Sequence, residues 1–205
     1  MGDHQNSRGI FRNLKPLVLA SKSPRRKELL ARLGVNFEVS PARGEEPKPL
    51  NEEPSHYTLR LARAKAEEVF QKNPGKAILA ADTIVVCKKE ILGKPKDFSD
   101  AFRMLNLLSG KMHQVFTAYV ILDGQRVRER VVETRVHFKH LQEEEIKAYL
   151  ATDEPWDKAG AYAIQGIASY MVKHIEGSVT NVVGLPLTEL IEDLLFLQII
   201  TWRSM

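Results

Sequence analysis

The sequence predicts an α/β domain built on a mixed sheet flanked by helices. Three observations carry this. Residues 77–87 form a near-continuous apolar run rich in β-branched side chains, as in a central strand buried on both faces. Residues 112–122 and 125–138 read as two strands joined at Asp123-Gly124, a strong hairpin signal. Between and around these strands lie segments whose apolar residues recur at helical spacing.

The elements follow in order. Residues 1–15 are polar and aperiodic and are expected to be a flexible extension, which leaves 16–205 as one domain. Leu17, Val18, Leu19 and Ala20 form a short buried strand. Ser23 suits a helix N-cap and Pro24 the first helical position, Leu29, Leu30 and Leu33 make the apolar stripe, and Gly34 ends the helix. Residues 40–54, with four prolines and several acids, read as a loop. Leu59, Ala62, Ala66 and Val69 place a helix over residues 55–71, stopped by Asn73-Pro74-Gly75. A short strand or turn is expected at 89–95 and a helix at 99–109. After the hairpin come a short helix at 143–151 and an ordered loop at 153–166. A second hairpin is expected around Glu176-Gly177, using 169–175 and 179–183, and a closing amphipathic helix at 186–200.

Composition narrows the class. With 43% hydrophobic and 27% charged residues, collagen-like, disulfide-scaffold and wholly disordered chains are excluded. The net charge is +4, but residues 1–32 alone carry eight Lys/Arg against Asp3 and Glu28, so the basicity is concentrated near the N-terminus and points to an anionic ligand. The single cysteine, Cys87, excludes an internal disulfide and a cysteine-rich zinc site. No apolar stretch is long enough to span a membrane, and no secretory leader is evident, so a cytoplasmic location is expected.

Four groups of residues carry candidate chemistry. Ser21-Lys22-Ser23-Pro24-Arg25-Arg26 occupies a strand-to-helix turn. There, free helix N–H groups, the Ser21 and Ser23 hydroxyls and the two guanidinium forks can cradle phosphate. A capped surface helix with solvated arginines explains the same motif. Asp82 is a carboxylate in an apolar run, expensive to bury unless paired, and it is expected at the strand's carboxyl end, opening into a cleft. There it can hold a divalent cation or accept a proton from water; a structural Asp bonded to a loop is the plain alternative. Lys65 and Lys94 can neutralise phosphate charge, and Glu45 and Glu46 can assist a metal, although isolated residues of these types are usually solvated. In the loop 153–166, Gln165 offers one acceptor and two donors suited to a base edge.

The blocks Ala20-Ser21-Lys22-Ser23-Pro24-Arg25-Arg26, Ala81-Asp82-Thr83, Gly93-Lys94-Pro95, Leu108-Ser109-Gly110, Asp157-Lys158-Ala159-Gly160-Ala161-Tyr162-Ala163-Ile164-Gln165-Gly166 and Asn181-Val182-Val183-Gly184-Leu185-Pro186-Leu187 occur in one order. In that order they resemble the Maf family of nucleoside triphosphate pyrophosphatases, also called septum formation inhibitors. The resemblance implies an elongated mixed sheet with a central cleft, similar to inosine triphosphate pyrophosphatases. It implies cleavage of a nucleoside triphosphate to the monophosphate and pyrophosphate with a divalent cation (Mg²⁺, Mn²⁺ or Co²⁺). On this resemblance Asp82 is the proton acceptor, and Arg25, Thr83 and Gln165 are the specificity positions. Ser21, Arg26, Glu46, Lys65 and Lys94 line the phosphate and metal region, with Glu46 and Asp82 toward the metal. The 157–166 loop looks like the branch acting on dTTP and UTP, not the one acting on 7-methyl-GTP, although Ala163 stands where Gly is usual and residues 1–15 precede the usual start.

The expected activity is therefore hydrolysis of dTTP and UTP, with a link to nucleotide-pool housecleaning and cell-division arrest. No membrane and no stable nucleic-acid partner are expected, and a homodimer is left open. Two alternatives stand beside it: the same chemistry on a modified or non-standard nucleotide, and a nucleic-acid-binding regulator of septum formation.

Overall fold

The computed structural model describes residues 9–44 and 47–203. In chain order its elements are β1 (Phe11–Asn13), β2 (Leu17–Leu19), α1 (Pro24–Arg32), β3 (Glu38–Val39), α2 (Pro54–Lys72), β4 (Ala77–Cys87), β5 (Glu90–Leu92), α3 (Phe98–Leu108), β6 (Met112–Asp123), β7 (Arg126–Phe138), α4 (Glu143–Leu150), β8 (Val172–Glu176), α5 (Val179–Val183), α6 (Leu187–Phe196) and β9 (Ile200–Trp202). Three 3-10 turns, Pro155–Asp157, Ala159–Ala161 and Ile167–Met171, fill the segment between α4 and β8.

The main sheet has the order β3-β2-β4-β6-β7-β8, with β5 added to β4. β2 pairs parallel with β3 and β4, and the remaining pairs are antiparallel, so the sheet is mixed and its faces carry the helices. β4 organises the core because successive side chains on a strand point to opposite faces. Ile78, Ala80, Ile84 and Val86 pack on the α2 side, against Leu61, Ala62 and Ala66. On the other face Ala77, Leu79 and Ala81 join α1 and α6, whereas Val85 and Cys87 join α3 and α4. Thr83 falls between these two apolar clusters, and the buried Thr117, Thr134 and Asn181 continue the polar seam.

The edge of β4 is interrupted at the same level. β2 covers it only at residues 77–79 and β5 only at 85–87, so residues 80–84 are paired on the β6 side alone. The polar seam and the uncovered edge together open the sheet where two cores meet.

Three sequence expectations need correction. Part of the extension expected over residues 1–15 is ordered, because β1 pairs antiparallel with β9 and Phe11 is buried; that pairing is between residues far apart in the sequence, and local polarity does not reveal it. Residues 1–8 lie outside the described residues. The second hairpin does not form: β8 pairs with β7, and residues 179–183 are a helix. The β-branched run Val-Thr-Asn-Val-Val favours a strand by propensity, but the Ser178 side chain caps the start by accepting from Asn181 N–H. Gly184, at φ +119°, ends the helix in a left-handed conformation. The closing helix stops at Phe196, and its expected last turn turns back into β9.

Candidate active site

A cavity of about 420 Å³ lies over the uncovered edge of β4. Its walls come from the β2–α1 turn, α2, β4, the segment after β5, the 157–165 loop and the end of α5. Ser21, Ser23, Arg25, Arg26, Lys65, Asp82, Thr83, Lys94 and Gln165 all line it, so residues separated by up to 144 positions in the chain converge on one cleft. Glu45 and Glu46 lie outside the described residues.

Asp82 is not at the strand's carboxyl end, as expected, but in the middle of β4. It reaches solvent because the strand's edge is uncovered there. Asp82 and Thr83, as neighbours on a strand, face opposite sides of the sheet. Asp82 is buried on the α2 side, where the Lys65 ammonium donates to its carboxylate. This explains how the apolar strand tolerates a charge: the carboxylate is paired at the mouth of a cleft.

Thr83 belongs to the other side. Its Oγ1 accepts from Arg26 at 3.0 Å and lies 2.9 Å from Thr117 Oγ1. The Thr117 hydroxyl donates to the Asn181 carbonyl at 2.9 Å, so the proton between the two threonines comes from Thr83. Thr83 therefore has a lone pair left but no proton, and it can accept from a ligand but not donate to one.

Arg26 is a brace. Its Nε donates to Gly184 O at 2.7 Å, and the guanidinium also donates to Ala81 O at 2.8 Å and Ser21 Oγ at 3.1 Å. Ala81 O is a carbonyl on the uncovered strand edge, and Arg26 takes the place of a neighbouring strand. The Ser21 oxygen also accepts from Ser23 N–H at 3.2 Å, leaving its proton for the cleft. Ser23 caps α1, with Pro24 at the first helical position as the sequence predicts.

Arg25 lies 3.5 Å from Asp157 across the cleft mouth, and Asp157 also pairs with Lys158. Lys94 and Gln165 are exposed, and among the described residues no hydrogen bond or ion pair engages either side chain. Among the described lining residues, six cations (Lys22, Arg25, Arg26, Lys65, Lys94 and Lys158) face two carboxylates, Asp82 and Asp157. The chain's basicity is thus focused on a concave surface, where field lines concentrate. Val115, Ile164 and Val182 add an apolar wall.

No group of three His, Cys, Asp or Glu side chains suited to a metal occurs among the described residues. Asp82 alone fits a different kind of cation site, in which one or two carboxylates and the substrate's own phosphates supply the ligands, as is usual for Mg²⁺.

Sequence reasoning gave no role to Lys22, Thr117 or Asn181. Lys22 sits in the basic turn already recognised. Thr117 interrupts an apolar strand, but its place opposite Thr83 requires the β4–β6 register. His113 is a second buried polar group behind the cleft: its Nε2 is 2.8 Å from the hydroxyl of Tyr162, a lining residue. Burial, with His137 adding repulsion, pulls its pKa down to about 3. The folded state thus keeps the ring neutral while the unfolded chain protonates near pH 6.5, so stability is complete above that pH and falls as the pH drops toward 3. Between pH 6.5 and 5 the expected slope approaches about 1.4 kcal/mol per pH unit. Denaturant unfolding should lose this component in His113→Gln, and an unchanged slope would contradict the assignment.

Comparison with known proteins identifies the family. Residues 16–195 match the family described as Maf-like protein. A relative from Geotalea uraniireducens, named dTTP/UTP pyrophosphatase, is 56% identical over 180 residues, covering 87% of this chain and 93% of its own. Relatives of the same name from Geobacter sulfurreducens and Desulfotalea psychrophila are 55% and 45% identical, covering 87% and 91% of this chain and 94% and 97% of theirs.

Proposed function

The chain belongs to the Maf-like protein family, and from that premise and the shape of its cleft we propose that it is a nucleoside triphosphate pyrophosphatase acting on dTTP and UTP. The observation that carries the reading is the convergence of Asp82 and a ring of cations on the gap between β2 and β5. A polyphosphate is the ligand class that this charge pattern suits.

In this reading Lys65, Lys94, Lys22, Arg25 and the Ser21 hydroxyl bind the triphosphate, and Arg26 contributes its charge from the wall. The polyphosphate competes with Asp82 for the Lys65 ammonium and draws it away. Asp82 then takes the proton of a water that attacks the α-phosphorus. The α–β anhydride bond breaks, and pyrophosphate leaves with the bonding electrons. A bound divalent cation (Mg²⁺, Mn²⁺ or Co²⁺) supplies charge neutralisation on the phosphate oxygens. Asp82 would hold it, with Glu46 as the further carboxylate the family resemblance implies.

The base is assigned to the Thr83 side. Gln165 can both donate and accept there, Thr83 can only accept, and Val115, Ile164 and Val182 provide apolar contact. The N3–H of uracil or thymine is a donor that Thr83 or the Gln165 carbonyl can receive, whereas cytosine lacks it. The thymine methyl is worth only about 1–3 kcal/mol in an apolar pocket, so both dTTP and UTP are used.

The test is a panel of natural and modified triphosphates with pyrophosphate detection, run with and without chelator. Pyrophosphate release is expected from dTTP and UTP at a kcat/KM at least about tenfold above CTP and the purine nucleotides, and chelator should abolish it. Release of orthophosphate, preference for a modified purine, or full activity in chelator would overturn the corresponding part.

A further inference from the structure

The loop that carries Lys158 and Gln165 is held at both ends by one residue the reaction does not use. The Glu154 carboxylate accepts from Ile167 N–H at 2.7 Å, from Ala168 N–H at 3.1 Å and from the Tyr149 hydroxyl at 3.0 Å. Its backbone carbonyl accepts from Lys158 Nζ at 3.2 Å. Glu154 therefore closes residues 154–168 into a ring and ties that ring to α4, whose Ile146, Tyr149 and Leu150 are buried in the core.

The fit is close. A Cβ on Gly166 would stand 1.9 Å from Glu154 Oε2, so position 166 is glycine because the carboxylate occupies the space. Gln165 is the adjacent residue. The ring also contains two successive residues at positive φ, Gly160 at +71° and Ala161 at +59°. Ala161 is not a glycine and is fully buried, so the loop stores backbone strain that needs an external hold.

We propose that Glu154 is a positioning residue for nucleobase selection: its carboxylate fixes the 166–168 backbone and thereby sets where the Gln165 amide stands in the cleft. This rests on the reading of Gln165 as the group that meets the base. Glu154 touches no ligand itself. Replacing one carboxylate oxygen by an amide nitrogen puts a donor against a donor N–H, so Glu154→Gln loosens the ring with almost no change in size.

The experiment measures kcat and KM for UTP and CTP in the wild type, Glu154→Gln, Gln165→Ala, the double variant and Tyr149→Phe, with a thermal midpoint for each. Glu154→Gln is expected to lower the UTP-to-CTP ratio of kcat/KM by at least about tenfold, mainly through the KM for UTP. In the Gln165→Ala background the same change should alter the ratio by less than about twofold, since both act through one side chain. Tyr149→Phe removes the donor to Glu154 together with the hydroxyl's contact to the Ala163 backbone of the same loop, and should lower the ratio by a few-fold; it serves as the readout if Glu154→Gln does not fold. Equal losses on UTP and CTP, or losses that multiply in the double variant, would reduce Glu154 to a structural role and overturn the proposal. A wild type that cleaves no triphosphate refutes the enzymatic reading instead. A wild type that cleaves UTP and CTP alike refutes the base-selecting role of Gln165 and, with it, this proposal.

Discussion

Asp82→Asn is expected to lower the turnover of UTP and dTTP by at least about a hundredfold, the usual loss when a general base is removed. Asparagine matches aspartate in size and fits the same place in β4, but it has neither the charge to hold a cation nor the basicity to take a proton. The loss should fall in kcat. KM should change little, because Lys94, Lys22, Arg25 and Ser21 remain to hold the phosphates. Thermal unfolding separates this from misfolding: the Asp82 and Lys65 side chains retain 10% and 21% of their exposure, so water can reach the ammonium left behind. Turnover within about threefold of the wild type would remove Asp82 from the chemistry.

The sequence is legible where a structural cause is local. Ser23 and Pro24 announce α1 because the cap and the fixed φ act within one turn. The run at 77–87 announces β4 because both faces are covered, and Asp123-Gly124 announces the hairpin because the turn residues stand at the turn. It is illegible where the cause is distant. β1 exists because residues 200–202 come alongside it, almost 190 positions later. Position 82 opens into a cleft because β2 and β5 stop short on either side of it, a fact of pairing length, not of composition. Residues 179–183 mislead because β-branched side chains outweigh, in any propensity count, the single cap and the single glycine that decide the element. The candidate site divides the same way. Its residue types and blocks can be read in the sequence, whereas the opposite facing of Asp82 and Thr83, and the commitment of Thr83's proton, require the sheet's register.

Arg26 yields the second large effect, because charge counting alone makes it one more phosphate ligand. Among the described residues its guanidinium joins three parts of the chain at once: Ser21 in the β2–α1 turn, Ala81 and Thr83 on β4, and Gly184 at the end of α5. Lysine keeps the charge but concentrates its donors on one nitrogen, which cannot reach acceptors arranged around a planar fork. In Arg26→Lys at least two of the four acceptors lose their partner, at about 1–3 kcal/mol for each one left buried. With roughly 2–4 °C per kcal/mol in a chain of this size, the melting temperature is expected to fall by about 5–15 °C. Activity should fall as well, by about tenfold or more in kcat/KM well below the melting transition, since the start of α1 and the end of α5 both line the cleft and lose their common hold. If Arg26 served only as a phosphate ligand, Arg26→Lys would raise KM and leave the melting temperature where it was; that pattern would refute the brace.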